Sequence, residues 1–516
     1  MEPLRHTNRW HYHCIKRSIN PRQDATACRR VFDAMGGGLT DQDGLADGGL
    51  LELPATSGTA GRLRKQLSSF GVLLLTLSCL SPVLSIYGVG SDVLQHAGTG
   101  AAGLFALGIL AALVWAVVYA ELGSAYPYAG GDYVGVGSVL GRWAGVVTLA
   151  MWAVTTGPAI AFEAEIIADY VGELAPDLPQ NVSVFGSLAA AVFVALLAVR
   201  TGALVTGLFL TVEMAAVFVL IAAGLWHPAR GLDTVLVHPM AFGEDGVLAP
   251  ASFAVLALAG LSAVYGTVGG NQAIYFGEEL ADPHRRMGRV ILMAALIGAV
   301  ATAVPVIAVV LGAQDLSAVF RSPAPFAAFM NEAAGPWAGR ALSAGVALAI
   351  FNALIAQVMA FGRLYFSLGR DELFNAPLNR WLAGVHMPSG SPRAATVVVG
   401  IFSALCCLLS SHVLLIFITG LLVYAWGLVC LAVLVGRLRG LTGQNHHWRS
   451  PLFPLAPVLG LVMAVVFTIA DITDPDAGRP SLILLGAVVV AAVLWSEFVL
   501  KRRPGGWAPV LVSAEI

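Results

Sequence analysis

The sequence predicts an all-α integral membrane protein with about twelve transmembrane helices, and three observations support this fold class. Of the 516 residues, 57% are hydrophobic and only 12% are charged, and the mean hydropathy of +0.79 exceeds what the core of a soluble domain can bury. Apolar runs of about 20 residues, enough to cross roughly 30 Å of hydrocarbon as a helix, recur along the chain. Lys and Arg are concentrated in alternate connections between these runs, as expected of a multi-pass protein.

Residues 1–66 precede the first apolar run and are polar and mixed in charge, which predicts a mobile cytoplasmic tail. Two cysteines and three histidines in this tail raise the question of a metal site: Cys14, Cys28, His6, His11 and His13. Their spacing matches no zinc-binding pattern, so an ordinary tail is the favoured interpretation. We predict no metal and no cofactor.

The apolar runs define spans 1 to 12, centred near residues 80, 110, 153, 190, 214, 263, 300, 350, 402, 424, 461 and 490. Placing the N-terminus in the cytoplasm leaves few basic residues outside: Arg230, Arg321, Arg340 and Arg479. The positive-inside rule therefore predicts that both termini are cytoplasmic. The transmembrane domain is predicted over 67–500, with spans 1–5 over about 67–227, spans 6–10 over about 249–437 and spans 11–12 over about 452–500. A short cytoplasmic tail follows over 501–516.

Span 1 is predicted to be interrupted near its middle. Pro82 lacks an amide donor and clashes with the preceding helical turn, and Ser81, Ser85 and Gly88 weaken the helix around it. Taken alone, this pattern fits a proline kink as well as a true break. A second interruption in an equivalent span is the observation that decides between the two.

Span 5 carries Glu213 about ten residues into its apolar run. A carboxylate in hydrocarbon is costly and usually functional, so Glu213 is predicted to couple transport to protonation. The alternative is a permanently neutral or hydrogen-bonded glutamate between helices. Glu163 and Glu165 in span 3 lie closer to its outer end, and we predict them at the membrane surface or in a vestibule.

Span 6 supplies the second interruption, in the stretch Tyr265–Arg286. Gly266, Gly269 and Gly270 break its apolar run, and unwound backbone survives in a bilayer only where it lines a cavity or binds a ligand. Spans 1 and 6 are equivalent if spans 1–5 and 6–10 are two repeats. Matched interrupted helices indicate a transporter with inverted repeats and a site at the bilayer midplane.

Three ordered segments give the chain a resemblance to a known family. The first combines Tyr119–Leu122 with Tyr126-Pro127 and Ala129–Tyr133. The second combines Gly277–Glu279 with Asp282-Pro283 and Arg285-Arg286, and the third combines Gly362–Leu364 with Gly369–Glu372. Together with the span count, they resemble the amino acid-polyamine-organocation superfamily of secondary transporters over about residues 66–500. The resemblance implies a five-plus-five inverted repeat, that of the leucine-transporter-like fold, with discontinuous spans 1 and 6.

The resemblance also implies a substrate site at the two interruptions. Carried onto this chain, the site comprises Ser85, Ile86, Tyr87, Gly88, Tyr265, Gly266, Thr267, Gly269, Gly270 and Asn271. Tyr265 takes the place of an aromatic gate that closes over a bound amine, and its alternative role is that of a packed tyrosine. The side chains of span 1 are bulkier than the family's usual glycine-rich break. An amino acid remains the expected substrate, with a small amine as the alternative.

Acidic residues near the cytoplasmic ends of spans 2 and 6 are candidates for an inner gate. Glu121, Glu278 and Glu279 are predicted to pair there with basic residues, of which Arg363 is the gate candidate. The other basic residues within reach are Arg142, Arg285 and Arg286. The alternative is that these charges only solvate a loop, where an exposed ion pair contributes about 0 to 1 kcal/mol.

These features predict a secondary active transporter of amino acids or related amines in the plasma membrane. It would work by alternating access, driven by a proton or sodium gradient or by a counter-substrate, with the lipid bilayer as its surroundings and no nucleic acid partner. One alternative is a transporter-like nutrient sensor without significant flux. A membrane-embedded transferase is the other, and it is disfavoured because no convergent acid, base and nucleophile appear in the spans.

Overall fold

The computed structural model describes residues 67–175, 177–197, 199–242, 248–322, 325–386, 390–409, 411–444, 447–473, 478–503 and 507. The predicted tail at 1–66, with its cysteines and histidines, lies outside the described residues, as does most of 501–516. The sheet present in the described part is a hairpin of β1 (Met240–Phe242) and β2 (Leu248–Pro250), which are antiparallel with Ala241 opposite Ala249.

Helices account for most of the described chain. In the first half they are α1 (Ser69–Leu80), α2 (Ser91–Ala97), α3 (Ala101–Ala125), α4 (Asp132–Leu140), α5 (Arg142–Leu174), α6 (Gln180–Ala195), α7 (Val199–Trp226), α8 (Leu232–Val237) and α9 (Phe253–Thr267). In the second half they are α10 (Pro283–Gly312), α11 (Leu316–Arg321), α12 (Pro325–Ala334), α13 (Pro336–Arg370), α14 (Ala376–Leu382), α15 (Arg393–Cys406), α16 (Ser411–Leu438), α17 (Leu455–Thr473) and α18 (Gly478–Trp495).

Within the described ranges, eight helical segments are long and apolar enough to cross a membrane. The first of them runs from α1 through α3, and spans 4 and 9 coincide with the shorter apolar helices α6 and α15. Span 6 consists of α9 and the 3-10 helical segment Gly270–Glu279. The chain is therefore a mostly helical, multi-pass membrane protein.

Helices from the two halves of the chain pack against each other through small residues. Helix α10 lies along α3 and α7, and α5 lies along α13 and α16. At the α7–α10 contact, a Cβ added at Gly224 would lie 2.3 Å from the carbonyl oxygen of Ala308. Small residues are enriched at membrane helix contacts because they permit this approach.

The outward faces of the last helices remain apolar. Ile469 on α17 and Ile483 on α18 are exposed, the latter by 74%. Large exposed apolar surfaces mark sites of contact with a membrane or with another protein. In a multi-pass membrane protein, lipid covers such faces, so α17 and α18 lie at the periphery of the helical core.

Candidate functional site

The interruption of span 1 lies at Ser81-Pro82. Ser81 has left-handed backbone angles, with φ of 41°, and separates α1 from a single helical turn over Pro82–Leu84. Pro82 disfavours the α conformation at the residue before it. Ser85, Ile86, Tyr87 and Gly88 belong to a π-helix over Ser85–Gly90, so this segment is helical rather than unwound.

Span 6 is interrupted where Val268 and Gly269 separate α9 from Gly270–Glu279. Val268 is extended, and the chain then continues as 3-10 helix. A Cβ at Gly269 would lie 2.7 Å from Cγ of Leu80. Glycine therefore lets this interruption lie directly against the end of α1, and the two breaks meet.

A cavity of about 90 Å³ lies beside the meeting point of the two breaks. Four of the predicted substrate residues line it: Ser85, Tyr265, Gly269 and Asn271. Trp152, Glu163, Gln272, Gln357 and Trp426 also line it, and the sequence had not assigned them to the site. One water molecule needs about 10 to 15 Å³ of cavity volume measured in this way. The cavity therefore has room for several waters or a small substrate.

The other predicted substrate residues do not belong to this lining. Among the residues that the structure describes, Ile86 is fully buried, and the ring of Tyr87 packs 5.2 Å from that of Phe326. The hydroxyl of Thr267 donates to the carbonyl of Gly108 at 3.0 Å. Three glycines, Gly88, Gly266 and Gly270, stand close to other helices without facing the cavity.

Glu163 is the residue that the sequence placed wrongly. It is 1% exposed and lines the cavity, and its Oε1 accepts a hydrogen bond from Nε2 of Gln357 on α13. The prediction that Glu163 lies at the membrane surface or in a vestibule was wrong because α5 has 33 residues, about 50 Å of helix. In so long a helix, a residue near the end in sequence can still lie deep in the membrane, and Glu163 is 11 residues from the last residue of α5. Its partner lies 194 residues away, which leaves no local sequence signal.

Glu213 lies at the break of span 1 and outside the cavity lining. It is fully buried on α7, and its Oε1 accepts from the backbone amide of Val83 at 3.1 Å and from the hydroxyl of Ser81 at 3.5 Å. The break leaves this amide without a helical acceptor. No described residue donates to Oε2 of Glu213. Nearby, Asn352 donates to the hydroxyl of Ser78 at 3.0 Å.

The predicted gate residues form buried ion pairs at one end of the helices, which we call the ion-paired end. Glu279 pairs with Arg363, and their side chains are 1% and 2% exposed. Glu278 pairs with Arg370 at 2.5 Å. Glu121 pairs with Arg437 and accepts from Thr442, which makes this carboxylate fully satisfied at the α3–α16 contact. Because these charges are buried, they are not the solvated loop charges of the alternative interpretation.

The chain after α18 returns to the same end. Arg503 donates to the carbonyl of Phe374 at 2.6 Å, and Nε1 of Trp507 donates to the carbonyl of Asp371 at 2.7 Å. The carboxylate of Asp371 also accepts from the hydroxyl of Tyr133 at 2.8 Å. Of the other basic residues considered for the gate, Arg142 pairs instead with Glu497.

Comparison with known proteins decides the family. The sequence model of the amino acid permease family matches residues 67–493. The chain belongs to the amino acid permease family. This confirms the predicted membership in the amino acid-polyamine-organocation superfamily and the interpretation as a transporter rather than an enzyme.

The permease has named relatives in bacteria and animals. It is 28% identical to an uncharacterized transporter of Mycobacterium tuberculosis over 66% of this chain and 72% of the relative. It is 24% identical to a serine/threonine exchanger of Bacillus subtilis over 72% of this chain and 82% of the relative. It is also 24% identical to Asc-type amino acid transporter 1 of Mus musculus, over 77% of this chain and 74% of the relative.

Proposed function

We propose that this permease moves a small amino acid or related amine across the plasma membrane by alternating access. The observation that carries the proposal is the cavity at the meeting point of two interrupted helical segments. Paired interruptions of two spans are typical of transport sites. The names of the Bacillus and mouse relatives support an amino acid as the substrate.

The polar groups of the cavity suit an amino acid. Nδ2 of Asn271 is buried and has no acceptor among the described residues, so it is available to a substrate carboxylate. Ser85 adds a hydroxyl from span 1. Tyr265 lines the same cavity, where its ring can close over an amine through a cation–π contact of about 0.5 to 2 kcal/mol.

The proposed architecture has twelve spans, a five-plus-five inverted repeat and both termini in the cytoplasm. A helix lies at each of the twelve predicted centres, which supports the count. The interruptions at Ser81 and Val268 fall in the first span of each proposed repeat. The ion-paired end is placed at the cytoplasm because basic residues concentrate there.

Glu213 is proposed as the coupling residue. It connects α7 to the broken backbone of span 1 through Val83 and Ser81. Gaining or losing a proton at Glu213 would change the strength of its hydrogen bonds to the backbone and side chain at the break. A proton gradient is therefore the proposed driving force, with sodium symport and substrate exchange as the outcomes that would replace it.

The test is uptake into proteoliposomes of radiolabelled amino acids and amines. A proton or sodium gradient is imposed or omitted, and unlabelled substrate is present or absent inside. Saturable accumulation that requires the proton gradient is expected. Flux that requires sodium or internal substrate would keep the permease and replace the driving force. Ligand-dependent thermal stabilisation without any flux would favour a nutrient sensor and overturn the proposal.

A further inference from the structure

The charge of the cavity is unbalanced. Among its described lining residues there is no Lys, Arg, His or Asp, and Glu163 is its one carboxylate. Arg363 lies on the same helix as Gln357 but pairs with Glu279 and donates to the carbonyl of Met359. A charged carboxylate in such a site is costly unless an opposite charge joins it.

The two oxygens of Glu163 have different surroundings. Oε1 accepts from Gln357, whose amide nitrogen also lies 3.4 Å from the carbonyl of Cys79. Oε2 is buried and receives no hydrogen bond from any described residue. A buried acceptor without a donor is destabilising, and more so when it is charged. The structure thus holds one oxygen in place and leaves the other for a ligand.

Two tryptophans also line the cavity. Trp152 and Trp426 both border the cavity, and tryptophan faces are the best aromatic partners for a cation. The free amide of Asn271 also lies in the lining. The cavity thus offers a donor for a carboxylate, an acidic group and two aromatic side chains.

We propose that Glu163 forms a cation subsite, so that the preferred substrate carries a positive group in addition to its α-ammonium: a basic amino acid with a short side chain. The inference rests on the proposed function and specifies its substrate class. A net charge of +1 on the substrate offsets the carboxylate, whereas a neutral amino acid leaves it unbalanced. The cavity of about 90 Å³ favours a short side chain.

The experiment compares ornithine with norvaline, which has a similar carbon chain but no terminal ammonium. Binding of both by the purified full-length permease is measured by isothermal titration, and uptake is measured in proteoliposomes. We expect the wild type to prefer ornithine by about tenfold or more, since charged hydrogen bonds contribute about 1.5 to 3 kcal/mol. Glu163→Gln should remove this preference, so that the variant binds ornithine and norvaline with similar affinity.

Glu165→Gln is the matched control, because Glu165 lies on the same helix and outside the cavity lining. It should keep the ornithine preference. Equal binding of both ligands by the wild type, or an unchanged preference in Glu163→Gln, would overturn the cation subsite while leaving amino acid transport intact. Absence of binding and flux for every amino acid tested would overturn both proposals.

A second measurement covers the case in which Glu163→Gln does not fold. Cys79 is a free thiol in the cavity lining, and a bound substrate should shield it from maleimide. In the wild type, ornithine should protect Cys79 at concentrations about tenfold lower than norvaline. Protection at equal concentrations would contradict the cation subsite.

Discussion

The two buried glutamates near the breaks have separate environments and separate proposed roles. Glu163 lines the cavity, whereas Glu213 accepts a hydrogen bond from the amide that the break of span 1 sets free. The sequence predicts the importance of Glu213, because a charged residue in mid-membrane is costly and seldom incidental. It does not predict the position of Glu163, because the partner on α13 is distant in sequence.

Glu213→Gln should uncouple the permease from its gradient. An amide oxygen can still accept from Val83 and Ser81, so the fold and substrate exchange are expected to persist. The side chain no longer exchanges a proton, and proton-driven accumulation should fall by about tenfold or more. Uptake with and without a proton gradient, and counterflow with internal substrate, measure the two activities.

The matched control is Glu332→Gln, because Glu332 is exposed. In the hydrogen bonds that the structure describes, its carboxylate accepts only from the backbone amide of Gln314. It should leave both accumulation and counterflow unchanged. Full proton-driven accumulation by Glu213→Gln would remove Glu213 from the coupling step. Loss of counterflow as well would assign it to folding or to substrate movement.

The interrupted spans show which parts of an element can be predicted. Hydropathy places the spans and glycine or proline marks the breaks, because both are local properties. The conformation of the chain after each break is not a local property. Span 1 continues as π-helix over Ser85–Gly90, and span 6 continues as 3-10 helix over Gly270–Glu279. Neither can be predicted from the sequence, because each depends on packing between distant parts of the chain. The segment of span 6 packs against α1 and α10, and the π-helix of span 1 packs against α9 and α10.

Gly270→Ala should disturb span 6 more than an ordinary glycine substitution. A Cβ at Gly270 would lie 2.8 Å from the backbone carbonyl oxygen of Ile291 on α10, so the segment or α10 must move. Overpacking of this kind costs about 1 to 3 kcal/mol. We expect a Tm lower by a few degrees and a clear loss of transport, measured by thermal unfolding and uptake.

Gly186→Ala tests whether the effect belongs to the site. Gly186 lies within α6, and a Cβ there meets no atom within 4 Å. Because alanine favours helix over glycine by about 1 kcal/mol, stability should be equal or higher and transport unchanged. Equal loss in both variants would show that the contact with α10 is unimportant.

The ion-paired end joins parts of the chain that are far apart in sequence. Glu121 and Arg437 are separated by 316 residues, and Glu279 and Arg363 by 84. The sequence identifies the acidic residues and Arg363 as candidates, but the matching of partners follows from tertiary packing. Breaking a buried pair by removing one partner costs about 3 to 5 kcal/mol, and these pairs are the proposed closure of the ion-paired end.

Arg370→Gln should open that end toward the cavity. The change leaves Glu278 without its 2.5 Å partner and loosens the contact between span 6 and α13. Access can be measured with a membrane-impermeant maleimide that reacts with Cys79, in a variant whose other cysteines are replaced by serine: Cys14, Cys28, Cys406, Cys407 and Cys430. We expect labelling from the ion-paired side to rise about tenfold.

Arg380→Gln distinguishes opening of the gate from a general change of charge. Arg380 is exposed on α14 and donates to Ala376 within its own helix, so its removal should leave Cys79 labelling unchanged. Labelling of the Arg370 variant should also fall when substrate is added, because Cys79 lines the proposed substrate cavity. Unchanged labelling after Arg370→Gln would mean that the pair with Glu278 stabilises the fold without controlling access. A rise only from the opposite side would reverse the proposed placement of the gate.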